Sequence, residues 1–186
     1  MTEDACVLVV DDEVRLADMF SRVVGRRHET RTAYGGEEAL ELVDDDVDVV
    51  LLDRRMPDKT GDEVLREVKA ARVNCRVVMV TAVDPEMDVL KLPFDDYLCK
   101  PVETDVLLDV VDQQLEAQAY DDRLTEYMSV VAKLGVLEAT AAERDLVDRD
   151  AYGELKTREA ALREDLEAAL EEFDDVARAF RAIPRA

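Results

Sequence analysis

Asp11 and Asp12 follow the apolar run Val7-Leu8-Val9-Val10, Asp53 follows Val49-Val50-Leu51-Leu52, Thr81 follows Val77-Val78-Met79-Val80, and Lys100 stands just before Pro101. A four-residue apolar run with no polar alternation is the pattern of a strand buried on both faces. Open α/β sheets of such strands bind ligands beyond their C-terminal ends, so these five residues are expected in one pocket. Carboxylates, one hydroxyl and one ammonium in that place suit the acceptance of a phosphoryl group on Asp53 with a divalent metal.

Each residue has a separate task in that chemistry. Transfer of a phosphoryl group to a carboxylate brings anionic oxygens together, and Mg²⁺, a hard cation that prefers carboxylate, carbonyl and water oxygens, can bridge them. Asp12, Asp53 and the backbone carbonyl of Arg55 supply direct oxygens in this reading, while Asp11 holds a metal-bound water. Lys100 offsets charge on the phosphoryl oxygens and steadies Asp53 before reaction. The Thr81 hydroxyl donates to a phosphoryl oxygen, and the small Ala82 leaves room for the donor. Taken singly, the same residues have plainer uses: Asp11-Asp12 as a helix N-cap pair, Asp53 as a turn residue, Thr81 as a cap, Lys100 as a solvated charge. All five in this order, at the ends of four strands, point to the joint phosphoacceptor.

The elements that must position them alternate along the chain. Strand-like runs at about 6–10, 48–52, 76–80 and 96–99, with a weaker one at 29–33, are separated by segments of helical periodicity at about 13–26, 36–44, 61–72, 84–92 and 103–118. This repeated pattern predicts a parallel sheet covered by helices on both faces over the first 119 residues or so. Gly35-Gly36, Gly61 and the turn at Met56-Pro57-Asp58 fall where one element hands over to the next.

Beyond about residue 120 the strand pattern stops. Tyr120, Leu124, Tyr127, Val131 and Leu134 alternate steps of four and three, as do Leu162, Leu166, Ala169, Phe173, Val176, Phe180 and Ile183, with Leu155 one heptad upstream and Glu159 as a polar exception. Such seams predict an all-α antiparallel hairpin or coiled coil, joined near Gly153, that either buries its own seam or pairs with a second copy. Thr140-Ala-Ala-Glu143 has the spelling of a capping box, or is part of one continuous helix. The expected division is 1–119 and 120–186.

Among 186 residues, 46 are acidic and 24 basic, a formal charge of −22; the basic residues are 18 Arg and 6 Lys. The acids are spread throughout. An acid-rich, lysine-poor surface stays hydrated in concentrated salt, where charge repulsion is screened within ~3 Å at about 1 M, so a salt-loving source is expected. The same charge disfavours binding to nucleic acid or anionic membranes. The N-terminus is acidic where a signal peptide is basic, and no apolar run is long enough to span a bilayer, which predicts a cytoplasmic protein. Cys6, Cys75 and Cys99 lack metal-site spacing and read as free thiols. His28 reads as a surface-loop residue, Asp44-Asp45-Asp46 as solvated surface, and Asp95-Asp96 as a turn.

The spellings Val9-Val10-Asp11-Asp12-Glu13, Asp53-Arg-Arg-Met56-Pro57-Asp-Lys-Thr-Gly61, Val80-Thr81-Ala82 and Tyr97-Leu-Cys-Lys100-Pro101 closely resemble a response-regulator receiver domain (CheY-like superfamily) of two-component signalling. The resemblance covers residues 1 to about 119. It implies a flavodoxin-like, doubly wound five-stranded sheet, a sensor histidine kinase as phosphodonor, Mg²⁺, a cis peptide between Lys100 and Pro101, and coupled movement of Thr81 and Tyr97 on phosphorylation. Two features depart from the commonest form: the segment between Thr81 and Tyr97 is short and contains Pro85 and Pro93, and Arg55 is large where it borders the acyl-phosphate. The tail resembles the HalX domain found after receivers in halophilic archaea, in Tyr120-Asp-Asp-Arg-Leu-Thr-Glu-Tyr127 and Phe180-Arg-Ala-Ile183.

Three function classes follow. The leading one is a two-component response regulator whose phosphorylation switches the receiver face and its helical tail to control self-association, through the tail or the receiver face, or binding of an output protein. A second is a transcriptional regulator whose tail contacts DNA directly or through a partner; 10 Lys and Arg against 17 Asp and Glu in the tail, with no basic recognition helix, argue against direct contact. The third is an aspartyl-phosphate hydrolase. Enzymes of the haloacid-dehalogenase type place a second Asp two residues after the nucleophile, and Arg55 stands there, so a non-enzymatic switch is expected.

Overall fold

The computed structural model describes residues 5–82, 91–141 and 149–171. Five parallel strands, β1 (Cys6–Val10), β2 (Glu29–Ala33), β3 (Val49–Leu52), β4 (Arg76–Thr81) and β5 (Asp96–Cys99), lie in the order β2-β1-β3-β4-β5. The register pairs Val10 with both Ala33 and Leu52, Leu52 with Met79, and Thr81 with Cys99, so the strand ends come into line along one edge. The doubly wound sheet read from the sequence is therefore the fold observed. Between the strands run α1 (Val14–Val24), α2 (Gly36–Leu42) and α3 (Gly61–Ala71). The helix expected at 84–92 falls largely on residues outside those described.

Alternation along the strands divides the core into two layers. Leu8, Val10, Val50, Leu52, Val77, Met79 and Tyr97 face one side and pack with Ala39 of α2 and Val64, Leu65 and Val68 of α3. Their neighbours Val7, Val9, Val49, Leu51, Val78, Val80 and Leu98 face the other and pack with Phe20, Val23 and Val24 of α1 and Leu107, Leu108, Val110 and Val111 of α4 (Thr104–Ala141). The near-absence of polar residues in β1, β3 and β4 follows from this double burial. β2, at an edge, is polar and only partly covered, which accounts for its weak pattern.

Compact units divide at Leu115 and Glu116. In the second, α4 and α5 (Arg149–Glu171) pair antiparallel: the Arg158 guanidinium grips the Glu126 carboxylate at 2.7 and 2.6 Å, while Lys156 and Tyr152 both reach Glu138, at 3.0 and 2.9 Å. Val130, Leu134 and Leu162 form the buried seam, flanked by Tyr127, Tyr152 and Leu155. Three details differ from the expectations. The segments 103–118 and 120 onward run as one helix, since no Gly or Pro stands where they were expected to part, and Gly135 lies within the helix without breaking it. The α4 seam runs Tyr127, Val130, Leu134, leaving Leu124 and Val131 on the exposed side; adjacent valines made either face compatible with the spacing. Gly153 lies inside α5 and does not join two helices; residues 142–148 are outside the described residues, as are Phe173, Val176, Phe180 and Ile183. Of the two readings of 140–143, a capping box or a continuous helix, Thr140 follows the second, since it lies within α4.

Candidate functional site

Asp11 leaves the end of β1 and is 2% exposed; Asp53 leaves the end of β3 and is 8% exposed. Backbone pairing continues past both strands, with the Asp11 amide donating to the Ala33 carbonyl at 3.2 Å and the Asp53 amide to the Val10 carbonyl at 2.9 Å. Asp12, beside them, is exposed. One carboxylate oxygen from each of Asp11, Asp12 and Asp53 can be chosen so that all three lie within 4.8 Å of one another. No other cluster of this kind occurs among the described residues.

Lys100 closes the pocket from β5. Its Nζ lies 2.6 Å from Asp11 Oδ2 and 3.3 Å from Asp53 Oδ2, and its backbone amide donates to the Thr81 carbonyl at 2.8 Å. The Lys100-Pro101 peptide is cis. Thr81 ends β4, next to β3, and is buried. The structure thus brings Asp11, Asp12, Asp53 and Lys100 together and sets Thr81 at the neighbouring strand end. Tyr97 lies in β5 with its ring in the core, tilted against Phe94 at a centroid distance of 5.6 Å. The Arg55 side chain points to solvent.

Electrostatics at the pocket are unbalanced. Three carboxylates face one ammonium, and burial pushes the Asp11 carboxyl above its usual range, with Asp53 adding in the same direction and the Lys100 ammonium and Glu13 amide opposing. An excess of half-buried carboxylate oxygens with hard-donor character is what a small divalent cation requires, so these residues fit Mg²⁺. Neither Asp11 nor Asp12 caps α1, whose N-cap is Glu13 without a side-chain cap bond; Asp11 Oδ1 instead accepts from the Glu13 amide at 2.9 Å in a turn just before the helix. The other Asp11 oxygen remains for the pocket.

The loop after Asp53 holds contacts that sequence reading missed. The Arg54 amide donates to Asp53 Oδ1 at 2.7 Å, and its guanidinium grips Asp62 of α3 through Nε (3.0 Å) and Nη2 (3.2 Å). Burial raises the Tyr97 hydroxyl above its ordinary range, and the Arg54 guanidinium acts in the opposite direction. α3 can start this close because Gly61 has no side chain: a Cβ there would run into the Asp53 carbonyl oxygen. A capping box of Thr60 and Glu63 fixes the first turn. The Thr-x-x-Glu spelling at 60–63 is the sequence signal for this start.

Other minor expectations are corrected. His28 is not a loop residue in solvent: its side chain is 8% exposed and Nε2 lies 3.0 Å from Asp112, which Arg27 also engages at 2.6 Å. Asp95 is no simple turn residue, for its carboxylate takes Lys69, Arg76 and the Val77 amide at 2.8, 3.1 and 2.7 Å, while Asp96 opens β5 and is buried. Asp44 and Asp46 pair with Arg31. The three cysteines are free thiols.

Residues 7–112 match the model of the response regulator receiver domain, and residues 116–184 that of the HalX domain. Over 165 residues, 88% of its length, the chain is 43% identical to a putative transcriptional regulator of Haloferax volcanii, of which it spans only 28%. Among solved structures, the response regulator TrrA of Thermotoga maritima in complex with Mg²⁺ and BeF is 29% identical, with a TM-score of 0.55 over 60% of this chain and 99% of that one. A CheY-like receiver domain protein from Methanospirillum hungatei shares the fold at 24% identity, with a TM-score of 0.60 over 64% of this chain and 99% of that one. Among the described residues no helix is long and apolar enough to cross a membrane.

Proposed function

This chain belongs to the response regulator receiver domain family, and from that premise we propose that Asp53 accepts a phosphoryl group from a sensor histidine kinase and thereby switches the activity of the helical tail. The observation that carries the reading is the clustering of Asp11, Asp12 and Asp53 at the C-terminal edge of the sheet, with the Lys100 ammonium on Asp11 and Asp53. An Asp53 carboxylate oxygen attacks the phosphorus of a phosphohistidine; the P–N bond breaks and its electron pair stays on the imidazole. Lys100 holds Asp53 in place and compensates charge on the incoming oxygens. The Thr81 hydroxyl donates to one of those oxygens. Asp12, Asp53 and the Arg55 carbonyl, with Asp11 beside them, would hold Mg²⁺, and the ion would supply further charge neutralisation. Arg55 in place of a second acid keeps the chain a switch in the cytoplasm instead of a hydrolase.

Residues 1–119 form the phosphoacceptor in this reading and 120–186 the output module, acting by self-association or by presenting a surface to another protein. A role in transcription is the second reading, favoured by the printed description of the Haloferax volcanii relative; the acidic tail directs it toward an effect through a partner. Incubating the full chain with Mg²⁺ and a small phosphodonor is expected to add the mass of one phosphoryl group, labile to acid and base. Asp53→Asn should abolish the adduct. An unchanged adduct on Asp53→Asn would remove Asp53 as acceptor.

A further inference from the structure

We propose that two copies of the chain pair through the outer face of the second half of α4, the side turned away from α5; the inference deepens, and rests on, the self-association reading of the tail. Leu124, Met128 and Val131 lie on that face, 40%, 60% and 39% exposed. Their spacing of four and three residues keeps them on one stripe of the helix. The seam against α5 uses Val130 and Leu134 instead, so α4 carries two apolar stripes where a two-helix hairpin needs one. A hairpin helix with nothing to bind shows charge to water on its outer side, as α5 does with Glu154, Arg163, Glu164 and Glu167, all exposed. The outer side of α4 is different. In a chain whose residues are 38% charged, the window 124–136 holds only Glu126 and Lys133. Neither lies on the stripe, since Arg158 of α5 holds Glu126 and Lys133 stands about 140° around the helix from Met128.

Charge and shape both select a second copy as the occupant. Each chain carries a formal −22, so two copies repel over most of their surface; at the stripe they can touch without setting carboxylate against carboxylate. Bulk also falls from one end of the stripe to the other. Leu124 and Met128 are large, Ala132 and Gly135 are small, and a Cβ added at Gly135 would meet nothing within 4 Å among the described residues. A parallel pair would set Gly135 on Gly135 and leave a void. An antiparallel pair, its two-fold axis passing between Ser129 and Val130, sets Leu124 of one copy over Gly135 of the other and Met128 beside Val131, which fills the space. From Leu124 to Gly135 the stripe is about 17 Å long. One helix-on-helix contact of that length falls short of the ~800 Å² per partner of a standard interface, so the dimer is weak and concentration-dependent, as a switched output requires.

Sedimentation of the full chain over a range of concentrations in high KCl, with Mg²⁺ and beryllofluoride and again without either, tests the face. The wild type is expected to dimerise. Leu124→Gln and Met128→Gln, at exposed sites and with the net charge unchanged, should each weaken the dimer by about fivefold or more while the circular dichroism of the monomer holds. Cys6 and Cys75 are buried. In a Cys99→Ser background, a short thiol cross-linker should therefore join Val131→Cys to its own copy, within a turn of the axis, and not Leu124→Cys, whose two copies lie about 16 Å apart along the helices. A dimer that both Gln variants leave unchanged, or that links through Leu124→Cys as readily as through Val131→Cys, overturns this interface while self-association stands. A wild type that stays monomeric under both conditions overturns the self-association reading and the interface with it.

Discussion

Lys100 sits where a single positive charge has most effect, 2.6 Å from one carboxylate and 3.3 Å from another. Lys100→Met removes the only ammonium from a cluster of three acids. Phosphorylation by a small phosphodonor is expected to slow by about a hundredfold, whereas Mg²⁺ affinity, followed by titration of the full chain, should hold or rise because the competing cation is gone. Loss of both would show that Lys100 is needed for the pocket's shape. Cys75 gives a residue-scale prediction for stability. Burial pushes its thiol up to about 11 from an ordinary 9.0. A raised folded-state value means the contribution is whole below pH 9 and is lost as pH rises toward 11, where the unfolded chain has already released the proton. The loss amounts to at most about 3 kcal/mol. Denaturant melts at pH 8 and at about pH 10.5 should show a smaller pH-dependent loss in Cys75→Ala than in the wild type.

The start of α3 is the element on which the site depends most. Gly61 passes against the Asp53 carbonyl, and Asp62, the next residue, aligns Arg54. Gly61→Ala is expected to cost about 3 kcal/mol by urea denaturation, since backbone and not a flexible side chain stands in the way; phosphorylation should fall with it. Thr60→Ala removes half of the capping box and is expected to cost only about 1 kcal/mol. In the tail, Leu162 is 1% exposed between α4 and α5. Leu162→Ala is expected to cost the helical unit about 2–5 kcal/mol, read as loss of helical circular dichroism at lower denaturant.

For the molecule as a whole, the charge of −22 is the dominant electrostatic fact. Like charges spread through both units repel, and raising salt shortens the range of that repulsion from ~10 Å at 0.1 M to ~3 Å at 1 M. The melting temperature is therefore expected to climb with KCl concentration over that range, and a flat response would count against charge repulsion as a limit on stability. Light scattering in high salt with Mg²⁺, before and after beryllofluoride, reads the output: a shift from monomer to dimer places it in self-association, and an unchanged mass assigns it to a separate partner.

How much was legible beforehand depended on the range of the interaction. The sheet could be read because β1, β3 and β4 are apolar on both faces, a local consequence of burial that any five-residue window displays. Asp11, Asp53, Thr81 and Lys100 could be picked out because each marks the end of such a window. The seam of α4 could not be resolved between Val130 and Val131, since a period of 3.6 residues admits both and only the packing against Leu162 selects one. His28 beside Asp112, Asp95 among Lys69, Arg76 and Val77, and Arg54 on Asp62 left no local trace. What the amino-acid order determined by itself was the alternation of elements and the residues at their ends, because hydrophobic periodicity acts over a few positions. Outside the pocket, the partners of the charged side chains were decided only by the tertiary structure, because such pairs form across gaps of up to 85 residues, where register and helix placement set every distance.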